Sequence, residues 1–106
     1  MSLPPFPNNI GKVRTHTSID GRQVQYTIDD EIVRRQQGSR NPKLIYLQRM
    51  RFTEDGRTEY RFTYYMLGRK PKARGRWVFG QYSLFIPPHD LTALLREARR
   101  RGWKGV

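Results

Sequence analysis

Residues 43–67 read KLIYLQRMRFTEDGRTEYRFTYYML, two long runs of strand-forming residues around a short turn sequence. Aromatic and branched residues are frequent in both runs, and these residue types favour pleated strands. A two-residue loop would place Phe52 opposite Glu59 and mix apolar with charged side chains on one face. A three-residue loop at 54–56, with Gly56 in a left-handed bulge, separates the two classes again. We therefore predict a long central hairpin with this loop.

In the predicted register, the strands at 43–53 and 57–67 have unequal faces, with Met50 opposite Tyr60 and Arg51 opposite Glu59. The face interpreted as core carries Leu44, Tyr46, Met50, Phe52, Tyr60, Phe62, Tyr64 and Met66. The other face carries Arg49, Arg51, Arg61, Thr63 and Tyr65, with Ile45, Leu47 and Leu67 towards one end. Register decides which side chains share a face, so the functional interpretation depends on it.

Another hairpin is predicted before the central one, because residues 12–29 alternate between apolar and polar side chains. Asp20-Gly21 separates the two runs and is a strong signal for a two-residue loop, which would pair Thr17 with Val24. After the central hairpin, residues 76–86 are predicted to form a strand with a bulge or bend at Gly80.

The last predicted element is a helix that begins near Pro88, a residue that suits a first helical turn. Its apolar positions follow the helical period and would bury one stripe. Gly102 is a suitable residue just beyond its end. The stripe consists of Leu91, Leu94, Leu95 and Ala98.

These elements predict an α+β fold, a curved antiparallel sheet of about five strands followed by one C-terminal amphipathic helix. The sheet would consist of two hairpins and one further strand. Residues 1–10 are rich in proline and are interpreted as an extended arm, and residues 11–106 as one β-rich domain. Two questions stay open at this point: whether residues 1–3 are native, and whether residues 31–37 form a strand or a helical turn.

The composition is strongly basic, with 21 Lys and Arg against 9 Asp and Glu and a net charge of +12. There is no cysteine, which excludes disulfides, zinc ribbons and thiol nucleophiles. No apolar run approaches the length of a membrane span, and the N-terminus does not resemble a secretory signal. We expect a cytoplasmic protein, with association with a nucleoid left open. We also expect no cofactor and no bound metal.

Arginine and aromatic residues alternate on one predicted face, an arrangement that suits single-stranded nucleic acid. Bases stack on flat rings, and phosphates require positive charge nearby. A basic loop between two strands would contribute further charge, and Trp77 directly after it is the candidate for stacking a base. The predicted nucleic-acid-binding residues are Arg49, Arg51, Arg61, Tyr65, Arg69, Lys70, Lys72, Arg74, Arg76, Trp77 and Phe79.

Other interpretations of the same residues stay open. Exposed arginines often serve only solubility. A protein-interaction or assembly domain that binds an acidic partner is the alternative function, with exposed aromatic residues as anchors. A nuclease that uses the acidic residues 29–31 ranks third. No nucleophile and base are arranged around His16 or His89, so we expect no enzymatic activity.

The C-terminal half contains Arg74-Gly75-Arg76, Ser83-Leu84-Phe85-Ile86, Pro87-Pro88 and the leucines of the predicted helix. In this order it resembles the single-stranded-DNA-binding transcriptional coactivators of the positive cofactor four type, over residues 43–101. The central hairpin is long for that family, and the N-terminal hairpin is additional. The resemblance implies a curved sheet, a homodimer and a groove for single strands.

Overall fold

Five antiparallel strands form a curled half-barrel sheet in chain order, and one helix follows them. The computed structural model describes residues 2–106, so Met1 of the expected arm lies outside it. The predicted α+β fold is confirmed. Among residues 2–106, no helix is long and apolar enough to cross a membrane. The elements are β1 (Val13–Thr17), β2 (Gln23–Arg35), β3 (Lys43–Phe52), β4 (Thr58–Leu67), β5 (Trp77–Phe79) and α1 (Pro88–Arg100).

The central strand β3 is buried on both faces, because α1 covers one side of the sheet and the N-terminal arm covers part of the other. We call these sides the helix face and the arm face. On the helix face, Ile45 and Leu47 pack with Leu94, Ala98 and the indole of Trp103. On the arm face, a second cluster consists of Val24, Tyr26, Ile28, Met50 and Phe52.

The helix forms as its sequence predicts. Pro87 precedes it in an extended conformation, and Pro88 occupies the first turn. Leu94 and Ala98 are buried, whereas Leu91 and Leu95 are partly exposed. Gly102 has a φ of 80°, and the next residue, Trp103, donates its backbone N–H to the Ala98 carbonyl at 3.0 Å. This Schellman arrangement turns the chain back, so that Trp103 joins the core.

The predicted register of the first hairpin is wrong by one residue. Thr17 pairs with Gln23 and His16 with Val24, so the loop contains three residues, 19–21. The Gly21 N–H donates to Ser18 O at 2.9 Å with a φ of 86°, which closes a type I turn followed by a left-handed bulge. An Asp-Gly sequence suits this turn as well as the shorter one, so the sequence signal did not decide between them.

The central hairpin is also shifted by one residue. Its loop contains four residues, 53–56, because Phe52 pairs with Arg57 and accepts a hydrogen bond from Gly56 N–H at 2.8 Å. Met50 therefore lies opposite Glu59, not Tyr60. The left-handed Gly56 is as predicted, with a φ of 73°. The four-residue loop places charged residues of β4 opposite apolar residues of β3, the arrangement that the side-chain pattern disfavoured. The pattern misled because β3 is buried on both faces over residues 44–48, so its apolar residues do not mark a single core face.

The last strand is shorter than the predicted 76–86, since β5 ends at Phe79. Gly80 is the bend: a Cβ atom there would lie 2.1 Å from the Tyr64 ring, so the chain leaves the sheet over this tyrosine. The open question about residues 31–37 is settled in favour of a strand, because β2 continues to Arg35. A register shift between Ile28 and Asp30 marks a β-bulge in β2.

Candidate nucleic-acid interface

The connection between β4 and β5 is a compact basic loop, residues 68–76. The Gly68 N–H donates to the Arg76 carbonyl at 2.7 Å, and Ala73 N–H to the Lys70 carbonyl at 2.9 Å. A Cβ at Gly68 would lie 2.0 Å from the Ala73 carbonyl oxygen, so only glycine permits this close approach. All five basic side chains of the loop are exposed, and none forms an ion pair within residues 2–106. They are Arg69, Lys70, Lys72, Arg74 and Arg76.

An aromatic groove of about 460 Å³ lies directly beside the basic loop, and we call it the edge groove. Arg69 and Lys70 line one part of it. Tyr64 lines it as well, and the bend at Gly80 leaves Tyr82 at 86% exposure beside it. Phe79 also borders the groove and is 44% exposed, with its ring on the arm face against Tyr65. The groove therefore combines unpaired positive charge with accessible aromatic surface.

A row of aromatic rings crosses the arm face towards the same edge. Tyr65 lies between two partners, with ring centroids 5.0 Å from Tyr46 and 5.4 Å from Phe79, both in edge contact. Burial, and then the nearby Glu31 carboxylate, raise the pKa of the Tyr46 hydroxyl. This phenol stays protonated and donates to the Pro7 carbonyl. The row thus connects the arm with the exposed ring of Phe79.

Trp77 contacts the N-terminal arm. Its Nε1–H donates to the Pro4 carbonyl at 3.1 Å, and the Phe6 and indole rings are perpendicular, with their centroids 5.8 Å apart. The side chain is partly buried. The arm therefore occupies part of the indole surface that the sequence analysis assigned to a base, and the stacking role of Trp77 stays a prediction.

Arg61 lies on the arm face in a fixed position. Its Nε donates to Gln48 Oε1 at 3.0 Å and its Nη1 to the Tyr26 hydroxyl at 2.9 Å. The guanidinium also lies 5.5 Å from the centre of the Tyr26 ring. Together with Tyr65 and Phe79, it lines one pocket. The structure thus brings three of the predicted site residues together.

Arg49 and Arg51 do not share this face, so the predicted common surface is wrong for both. The central loop is one residue longer than expected, and this shift places the odd-numbered residues of β3 on the same face as the even-numbered residues of β4. The Arg49 guanidinium lies 5.2 Å from the centre of the Trp103 indole on the helix face. Arg51 pairs with Asp29 at 3.4 Å between Nε and Oδ2.

The acidic residues 29–31 have separate partners. Asp29 pairs with Arg51, whereas Asp30 accepts hydrogen bonds from Arg101 and from the Trp103 indole. Glu31 is buried on the arm face beneath the arm. Asp29 and Asp30 bind different arginines, and Glu31 lies on the opposite face of the sheet, so the three carboxylates do not converge on one point.

Sequence reasoning missed two residues that line these surfaces, Tyr82 and Arg14. Tyr82 was assigned to the interior of a strand, although Gly80 already indicated a bend. Arg14 is not among the predicted site residues, and the register of β1 places it opposite Tyr26. No local signal identifies Arg14, because its position depends on the length of a loop further along the chain.

No protein-family model, curated protein or solved structure matches this chain. The resemblance to the positive cofactor four coactivators thus rests on the sequence motifs of residues 43–101, and the homodimer that it implies stays a prediction.

Proposed function

We propose that this chain is a non-enzymatic module that binds single-stranded nucleic acid along the β5 edge. The observation that carries the proposal is the combination of five unpaired basic side chains in one loop with exposed rings in the adjoining edge groove. Phosphates would bind the basic loop, and bases would contact Phe79 and Tyr82. Positive charge and aromatic surface in one groove are the two features that single-strand binding requires.

Single strands fit this surface better than a duplex. The bases of a duplex are stacked on one another, so exposed rings such as Tyr82 would gain no base contact. The bases of a single strand are accessible to such rings. Reading a duplex through its major groove usually requires a protruding helix or a β-ribbon. Here α1 packs on the sheet, and β5 is only three residues long.

A protein-assembly function is the second candidate, because Phe85 is 82% exposed on the same segment as Tyr82. A partner with acidic and apolar side chains would suit the basic loop and these rings. Nucleic acid is favoured because the net charge of +12 exceeds the magnitude of about 2–8 that serves the solubility of a small domain.

The test is the salt dependence of binding to a labelled oligothymidine, measured by fluorescence anisotropy. Each lost phosphate contact lowers the slope of log affinity against log salt by about 0.7, so removing four loop charges should reduce it by about 2–3 units. The loop variant replaces Arg69, Lys70, Lys72 and Arg74 with glutamine.

A matched control removes four other exposed charges that form no ion pair within residues 2–106. It replaces Lys12, Arg35, Arg96 and Arg99 with glutamine. We expect a smaller change of slope in the control, since none of these residues lines the edge groove. Equal slopes in the parent and the loop variant would exclude the loop from the site. An absence of binding at low salt would overturn the proposed function.

A further inference from the structure

A second pocket, of about 330 Å³, lies inside the curl of the sheet, and we call it the inner pocket. The curl brings together residues from strands at opposite edges of the sheet, Arg14 of β1 and Phe79 of β5. Pockets of this size at the mouth of a curved sheet are typical places for small ligands. Every strand contributes to the lining, which includes Arg14, Tyr26, Gln48, Arg61, Tyr65 and Phe79.

Two guanidinium groups give the inner pocket its charge. Arg14 and Arg61 both line it, and neither forms an ion pair within the part of the chain that the structure describes. The Arg61 guanidinium donates one hydrogen bond from Nε to Gln48 and one from Nη1 to Tyr26. Its other N–H groups stay available to a ligand. Guanidinium forks match the oxygens of a phosphate group.

A buried polar network fixes the floor of this pocket. Glu31 accepts a hydrogen bond from Gln48 Nε2 at 2.9 Å and one from the Asn9 backbone N–H at 2.7 Å. Gln48 in turn accepts from Arg61, so the amide stands between the carboxylate and the guanidinium. Buried polar groups are costly unless each is hydrogen-bonded, and a satisfied network is rigid. The Arg61 charge is therefore held in place before any ligand arrives.

Aromatic rings border the same pocket. Tyr65 and Phe79 line it together, and Phe79 also lines the edge groove. A strand bound in the edge groove would therefore reach the inner pocket by passing over Phe79. The pocket combines two arginines, of which Arg61 is held in place, with flat rings, and cations and rings together are the features that recognise a nucleotide.

We propose that the inner pocket binds one nucleotide, with its phosphate between Arg14 and Arg61 and its base against Tyr65 and Phe79. This inference rests on the proposed function, since the nucleotide would belong to the strand held by the basic loop. It identifies the ligand as a phosphate ester that carries a planar base.

The experiment compares a nucleoside monophosphate, the same nucleoside and inorganic phosphate by isothermal titration calorimetry on the full chain. We expect the monophosphate to bind more tightly than either part. Arg61→Gln and Arg14→Gln should each weaken its binding by about 10- to 100-fold, because each removes a charge-assisted hydrogen bond. Arg61→Lys keeps the charge but loses the fork, and should bind with intermediate affinity. Arg51→Gln, on the helix face, is the control and should bind as the parent does.

The outcomes separate this inference from the proposed function. If Arg14→Gln leaves monophosphate binding unchanged, the inner pocket is not the site, whatever the oligothymidine result. Arg14 lies on an exposed edge strand, so this variant stays informative even if Arg61→Gln unfolds the protein. Inorganic phosphate that binds as tightly as the monophosphate would overturn the nucleotide assignment. Monophosphate binding without oligothymidine binding would support the pocket and overturn the proposed function.

Discussion

Trp77 joins the N-terminal arm to the sheet through two contacts of different kinds. The indole N–H donates to the Pro4 carbonyl, and the Phe6 ring packs perpendicular to the indole. A hydrogen bond of this kind contributes about 1 kcal/mol, and an aromatic pair contributes a similar amount. The residue therefore has a structural role in addition to any contact with a base.

We expect Trp77→Ala to lower the free energy of unfolding by about 1–2 kcal/mol, because both contacts are lost. Trp77→Phe keeps an aromatic ring for Phe6 and should recover about half of that loss. Urea denaturation followed by circular dichroism measures both variants. An alanine variant as stable as the parent would show that the arm is not anchored by this side chain.

The fluorescence of Trp77 distinguishes an anchor from a stacking platform. Trp103 must first be replaced by phenylalanine, which keeps a ring beside Tyr60. Quenching by bound oligothymidine would show that a base reaches the indole. Unchanged emission at saturation would show that no base reaches the indole and that Trp77 serves only to anchor the arm.

Among the secondary-structure elements, α1 shows most directly what holds the fold together. Leu94 is 1% exposed and packs in the same cluster as Ile45 and Leu47 of β3. We expect Leu94→Ala to lower the free energy of unfolding by about 2–5 kcal/mol, the range for a large core residue replaced by a small one. Thermal and urea denaturation at several protein concentrations measure this effect.

Leu95→Ala is the control on the same helix. Because Leu95 is only partly buried, this substitution should lower the free energy of unfolding by less than Leu94→Ala does. Since the leucine stripe packs on the sheet of its own chain, we expect the loss of stability caused by Leu94→Ala to be the same at every protein concentration. A loss that changes with concentration would show that part of the stripe contacts a second copy.

The order and type of the elements could be predicted from the sequence, but the strand registers could not. Helical spacing of Leu91, Leu94 and Ala98 has few alternative explanations, and it predicted α1 well. Strand pairing depends on one residue of loop length, and Gly21 and Gly56 both suit more than one turn. Where a strand is buried on both faces, as β3 is, alternation no longer identifies the register.

The same physics explains which parts of the candidate site were predictable. The basic loop is continuous in sequence, so its five charges stay together in any register. The face on which Arg49 and Arg51 lie depends on the strand register, and the predicted register assigned both residues to the wrong face. The inner pocket depends on the curl of the whole sheet, which brings Arg14 and Phe79 to one pocket, and no local pattern encodes that proximity.

At the scale of the whole molecule, the acidic residues are distributed so that most of them neutralise arginines within the fold. Arg57 pairs with both Asp55 and Glu59. Hydrogen bonds from Arg100 and Arg101 lower the pKa of Glu97 to about 2. The positive charge left over is therefore concentrated on surfaces without acidic residues, above all the basic loop.

Concentrated charge of one sign has two opposing consequences, because it attracts polyanions and also repels itself within the compact state. Salt screens both effects, with a Debye length of about 10 Å at 0.1 M ionic strength. We expect the melting temperature of the free protein to rise by a few degrees between low and moderate salt, while affinity for oligothymidine falls over the same range. The variant lacking four loop charges should melt higher than the parent at low salt and respond less to added salt. Circular dichroism melts of the parent, the loop variant and the variant lacking Lys12, Arg35, Arg96 and Arg99 measure this directly. If the two four-charge variants gain the same stability, the repulsion arises from the net charge of +12 and not from its concentration in the loop.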